Sequence, residues 1–117
     1  LIYYYLNTMI TTEYKFGEVH VLAEQIQPAD DKVQFHNIFA NENGGVALIA
    51  FKTGQQLDTH TAPAEVMVNV LEGEIEFTMI DKPHHLKAGE FLLMGEGVPH
   101  SVKALTDAKV MLIKIKA

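Results

Sequence analysis

Two stretches decide how this chain is read. One is Gly54-Gln55-Gln56-Leu57-Asp58-Thr59-His60-Thr61-Ala62-Pro63-Ala64-Glu65-Val66, running on to Leu71-Glu72-Gly73; the other is Gly89-Glu90-Phe91-Leu92-Leu93-Met94-Gly95-Glu96-Gly97-Val98-Pro99-His100. In each, a glycine that interrupts a strand pattern precedes a histidine by a few residues, and further glycines punctuate the stretch. Between them, Val66 to Leu71 and Glu74 to Ile80 flank Glu72-Gly73, a tight-hairpin signal. Glu74, Glu76 and Thr78 alternate with Ile75, Phe77 and Met79, so one face of that strand is wet and the other buried.

The same grammar extends outward. Lys32 to Ala40 alternates Val33, Phe35 and Ile38 with polar neighbours, Asn41-Glu42-Asn43-Gly44-Gly45 supplies a turn, and Val46 to Lys52 is a nearly continuous apolar strand. Asp81-Lys82-Pro83 turns the chain again, Ala88-Gly89 closes the next strand, and Val110 to Lys116 alternates Ile113 and Ile115 with Lys114 and Lys116. Only Gly17 to Gln27, with Val21, Leu22 and Ile26 loosely at helical spacing, predicts a helical turn or two, and Pro28 ends it. Short strands with turn signals every roughly eight to twelve residues predict an all-β, antiparallel sandwich or barrel rather than βαβ units. Residues 9–117 read as one such domain. Residues 1–8, which begin LIYYYL, read either as an upstream extension or as an added strand, the tyrosines being good strand formers.

The two quoted stretches resemble the signature motifs of the cupin family, in which three histidines and a glutamate bind a metal inside a small jelly-roll barrel, the double-stranded β-helix. Gly54, His60 and Gly73 stand where the first motif has its opening glycine, first histidine and closing glycine. Ala62 holds the second histidine position, and counting back from Gly73 puts Val66 at the glutamate position. In the second motif Gly89, Gly97 and His100 are in place, Gly95 replaces a proline and Ala104 replaces an asparagine. The resemblance implies a cupin barrel whose metal motifs are degenerate.

His60 and His100 are what remains of four ligands, and tight zinc or iron sites normally take at least three protein donors. No tightly bound metal is therefore expected. If a divalent ion such as zinc, nickel, manganese or iron does bind, it binds weakly through His60 and His100, with Glu65 as a third ligand only if a bulge near Pro63 re-aims it. His84 and His85 come after a turn signal and read as exposed turn residues, while His20 and His36 read as ordinary surface or satisfied histidines. The apolar replacements suggest a pocket lined by Ala62, Val66, Val68, Val70, Phe77, Met79 and Met94 beside the two imidazoles, although side chains alone can fill a small barrel.

Composition narrows the functions. The chain of 117 residues has a net charge of -6, which argues against nucleic acid, and its longest apolar run is far too short to span a membrane. With no cysteine there is no disulfide framework and no thiolate chemistry, which fits a cytoplasmic protein. All nine basic residues are lysine, so the bidentate arginine grip on an anion is missing. The expectation is a cupin that binds a small, largely apolar and uncharged molecule. The alternative is a metal-dependent cupin enzyme of dioxygenase or isomerase type built on His60 and His100. Either histidine could also act as general acid or base. A homodimer is expected, as the resemblance also implies, with LIYYYL and VMLIKIK (residues 110–116) as candidate edges to pair with a second copy.

Overall fold

The structure is a computed structural model that describes residues 9–117; residues 1–8, with their reading as an extension or added strand, lie outside the described residues. Among the described residues nine strands come after a short 3-10 helix at Leu22–Gln25: β1 Gln34–Asn41, β2 Gly44–Phe51, β3 Gln56–His60, β4 Glu65–Glu72, β5 Glu74–Met79, β6 Lys82–Lys87, β7 Phe91–Met94, β8 His100–Ala104 and β9 Ala108–Ile115. They form a five-stranded sheet in the order β1-β2-β9-β4-β7 and a four-stranded sheet in the order β3-β8-β5-β6. The pairings within both sheets are antiparallel, as the turn spacing predicts.

The main core lies between the sheets. Ile49, Phe51, Val66, Val68 and Val70 meet Ile75, Phe77, Leu86 and Val102 there. Each such side chain contributes roughly 1.5–3 kcal/mol by leaving water. The alternation read in β5 is borne out, since Ile75 and Phe77 are buried and Glu76 is exposed. The continuous apolar run of β2 has a different origin. Its inner face holds Ile49 and Phe51, while Leu48 and Ala50 on the outer face are covered by Leu22 and Ile26 from the 3-10 helix region. Lys109, also nearly buried under this cover, donates from Nζ to the Ala23 carbonyl at 2.6 Å and lies 3.6 Å from Glu72.

Three local readings are corrected. Glu72-Gly73 is not a hairpin within one sheet but the corner at which the chain leaves the five-stranded sheet for the four-stranded one. Gly73 has φ of 79°, and a Cβ there would run into the Asp107 carbonyl, so only glycine fits the corner. The β5–β6 turn sits earlier than read, on Ile80 and Asp81, both at positive φ (49° and 61°), the geometry of a two-residue hairpin loop. Lys82 and Pro83 already belong to β6, an edge strand where a missing N–H is tolerated. His84 and His85 are consequently strand residues: His84 Nδ1 lies 3.3 Å from the Phe77 carbonyl, and His85 lies 3.7 Å from Glu74. Finally, β9 is the central strand of its sheet, hydrogen-bonded to β2 and β4, and so offers no free edge to a second copy.

Candidate ligand site in the barrel mouth

His60 ends β3 and His100 begins β8, directly opposite each other. Regular alternation from Leu57, which faces the cavity, would turn position 60 outward. A register shift between Leu57 and His60 matches three residues of β3 to two of β8, and this β-bulge brings both Leu57 and His60 to the inner face. The imidazole centroids stand 4.1 Å apart with a 56° tilt, and the Phe77 ring stacks on His100 at 5.5 Å and 15°. The turn before His100 is held against the first motif by a hydrogen bond from Gly97 N–H to the Ala62 carbonyl at 2.9 Å.

Each ring makes the same backbone contact two residues upstream: His60 Nδ1 to the Asp58 carbonyl and His100 Nδ1 to the Val98 carbonyl, both at 2.8 Å. A carbonyl only accepts, so Nδ1 carries the hydrogen in each. In its neutral form each imidazole then keeps its lone pair on Nε2, the nitrogen left for the cavity. Burial pushes the His100 pKa below its ordinary value; the bond to Val98 opposes this and the neighbouring His60 adds to it. His100 is only 6% exposed, whereas His60 sits at the open rim.

Behind the pair lies a cavity of about 240 Å³. Of the residues read as lining a pocket, His60, His100, Ala62, Val66, Val68, Phe77 and Met94 border it. Val70 and Met79 do not: Val70 is sealed in the core, and Met79 packs against the core's edge. Glu65 faces the other way. The β4 register is regular from Glu65 to Val70, with Glu65 opposite Ile115 and Val66 opposite Lys114, so Pro63 induces no bulge and Glu65 points to the outer face beside Met67 and Leu93. Lys114 lies outside the set expected from sequence, yet it lines the cavity, continuing the inner face of β9 from Val110 and Leu112.

The donor set bears on the metal question directly. Among the described residues no group of three or more His, Cys, Asp or Glu side chains is placed to hold a metal ion. Two imidazole nitrogens, with Ala62 and Val66 as the neighbouring lining residues and a lysine as the cross-strand neighbour of Val66, do not fit a tightly held divalent cation. The arrangement can instead accept hydrogen bonds from a donor at the two Nε2 atoms and bury an apolar body behind them.

The fold and these motifs place the chain among barrel proteins of one family. Residues 47–116 match the cupin domain model, and the chain belongs to that family. A cupin 2 conserved barrel domain protein from Leptotrichia buccalis is 34% identical, with a TM-score of 0.76 over 80% of this chain and 46% of that one. An RmlC-like cupin from Desulfovibrio desulfuricans is 30% identical, with a TM-score of 0.75 over 84% and 95% of the two chains. A conserved protein of unknown function from Streptococcus pyogenes is 21% identical and superimposes with a TM-score of 0.83 over 91% and 93%. No protein of curated function matches the sequence.

Proposed function

We propose that this cupin binds a small, largely apolar molecule in the barrel mouth, oriented by a hydrogen-bond donor that it presents to Nε2 of His60 and His100, with no tightly held metal taking part. The observation that carries this reading is the cavity itself: about 240 Å³ walled by Val66, Val68, Ile75, Phe77 and Met94, with the imidazole pair as its main polar feature on one side. The volume is below the roughly 300–1,000 Å³ of sites for drug-sized ligands, which favours a molecule with few heavy atoms. Apolar walls with a small number of placed polar groups are the usual make-up of such sites.

A metal-dependent dioxygenase or isomerase needs a third protein donor, and Glu65, the candidate for it, lies on the far face of β4. Binding is therefore the better-supported reading. The test is a thermal-shift panel of small alcohols, phenols and hydroxy acids on the parent, on His60→Ala and His100→Ala, and on Val68→Phe, which fills the cavity. Ligands should raise the melting temperature of the parent, less so in the histidine variants and not at all in Val68→Phe. A panel without any response, or responses indifferent to Val68→Phe, would refute cavity binding.

A further inference from the structure

The cavity has one charged side chain that the histidine motifs do not account for. Lys114 stands on β9 opposite Val66 on β4 and Gly45 on β2, and it borders both the cavity and the shallow depression beside Ala62 and Pro63. That double position puts it at the cavity's rim on the wall facing the imidazoles. It is half-buried, and among the described residues it makes no ion pair and no side-chain hydrogen bond. The cavity lining contains no aspartate or glutamate. A cation at the rim of an apolar cavity that holds no opposite charge is complemented by an anionic group on whatever enters it.

The imidazoles restrict where that anion goes. With hydrogen on Nδ1 and the lone pair on Nε2, a neutral histidine repels a carboxylate in direct contact, so the anionic end belongs on the Lys114 side and the donor on the histidine side. Resting on the binding reading, we propose that the ligand is a small monocarboxylate with an apolar body, its carboxylate held by Lys114 and its body against Val66, Val68 and Phe77. The expectation of an uncharged ligand rested on the lack of arginine. A lysine set in the wall supplies the missing cation as a point charge, which a single carboxylate satisfies without a bidentate fork.

Calorimetric titration of the full chain with mandelate and mandelamide, and with 2-hydroxyisovalerate and its amide, tests this. Each pair shares its body and hydroxyl and differs in the carboxylate. In the parent the acids should bind about tenfold or more tighter than the amides. Lys114→Met and, as a second neutral variant, Lys114→Gln should bring the acids to the level of the amides and leave the amides unchanged. Lys114→Arg should retain a preference for acids, and Lys116→Met, which removes a charge outside the cavity lining, should alter neither. Equal affinity for acid and amide in the parent overturns the carboxylate assignment and leaves binding standing. An acid preference that survives both neutral variants overturns Lys114 as the holder of the carboxylate and leaves binding standing. Absence of binding by all four compounds overturns the assignment and the binding reading together.

Discussion

The two walls of the cavity make opposite use of the same strand geometry. On the β3–β8 wall a bulge between Leu57 and His60 aims a second polar side chain inward, and both imidazoles are fixed by backbone carbonyls two residues away. On the β4–β9 wall the register is regular across Val66 and Lys114, and the inward positions are Val66 and Val68 on one strand and Val110, Leu112 and Lys114 on the other. The first wall presents two imidazoles to the cavity; the second presents valine at position 66 with Lys114 as its cross-strand neighbour. Cross-strand neighbours on one face stand about 4.5–5.5 Å apart at Cβ, so a cation at Lys114 acts directly on whatever occupies position 66. The two walls therefore offer an entering molecule different chemistry, acceptor nitrogens on one side and a cation among valines on the other.

The sharpest way to break that contrast is to rebuild the missing half. Ala62→His with Val66→Glu restores four ligands around His60 and His100, and zinc should then bind at micromolar or tighter concentration, on the order of a thousandfold above the parent. The ammonium across from position 66 will pair with the new carboxylate and compete with the metal, so adding Lys114→Met should tighten zinc further. Zinc titrations of the three proteins check both steps. No gain in the double variant means that positions 62 and 66 are wrongly placed; a gain unaffected by Lys114→Met means that Lys114 and position 66 are not electrostatically coupled.

The same walls explain how far the site was readable from sequence. The all-β class, the β5 alternation and the positions of His60 and His100 come from glycine spacing and a period of two, which survive without any tertiary information. The bulge that turns His60 inward has no glycine or proline at Asp58-Thr59 to announce it, whereas Pro63, which does suggest a bulge, precedes a stretch, Glu65 to Val70, that pairs regularly. Lys114 was hidden for a different reason. In β9 both alternating sets are largely apolar, because Val110 and Leu112 face the cavity while Met111 and Ile113 face the outer side of the sheet. A period of two cannot choose a face when both faces are apolar. Glu72-Gly73 misled similarly: the local turn chemistry is the same for a hairpin and for a corner between sheets, and only the pairing of β4 and β5 with different partners separates them.

The back of the β4–β9 wall carries the next prediction. Met67 lies opposite Leu93 on one side and Ile113 on the other, and Ile113 in turn lies opposite Val46, which pairs with Phe39; this apolar row crosses all five strands. Leu93 is 70% exposed and Ile115 66%. A homodimer is expected to bury this face, packing sheet on sheet rather than edge on edge, since β9 is central. Light scattering at micromolar concentration should report twice the 13.0 kDa of one chain, and Leu93→Lys with Ile113→Lys should return the protein to the monomer. A parent that runs as a monomer rejects the arrangement. A dimer indifferent to both charges moves the interface to another surface.

The smallest expected effect is on the pH dependence of stability, and it belongs to the wall that carries the histidines. The His100 pKa is lowered from its ordinary value of 6.5, first by burial and then by the neighbouring His60, with the Val98 carbonyl opposing. A histidine that resists protonation when folded leaves the unfolded chain with more bound protons as the medium acidifies, and stability falls wherever that is so. The contribution is fully present above about pH 6.5 and is lost as pH falls below it. Asp107 is shifted in the window below that: Thr53 holds its carboxyl under the ordinary 3.8, so its contribution persists until much stronger acid. Urea unfolding at intervals between about pH 7.5 and 5 should therefore show the midpoint declining in the parent and declining less in His100→Gln. A midpoint that holds steady or rises on acidification, or equal slopes in the parent and His100→Gln, would show that the buried imidazole is no more costly to protonate in the folded barrel than in the open chain.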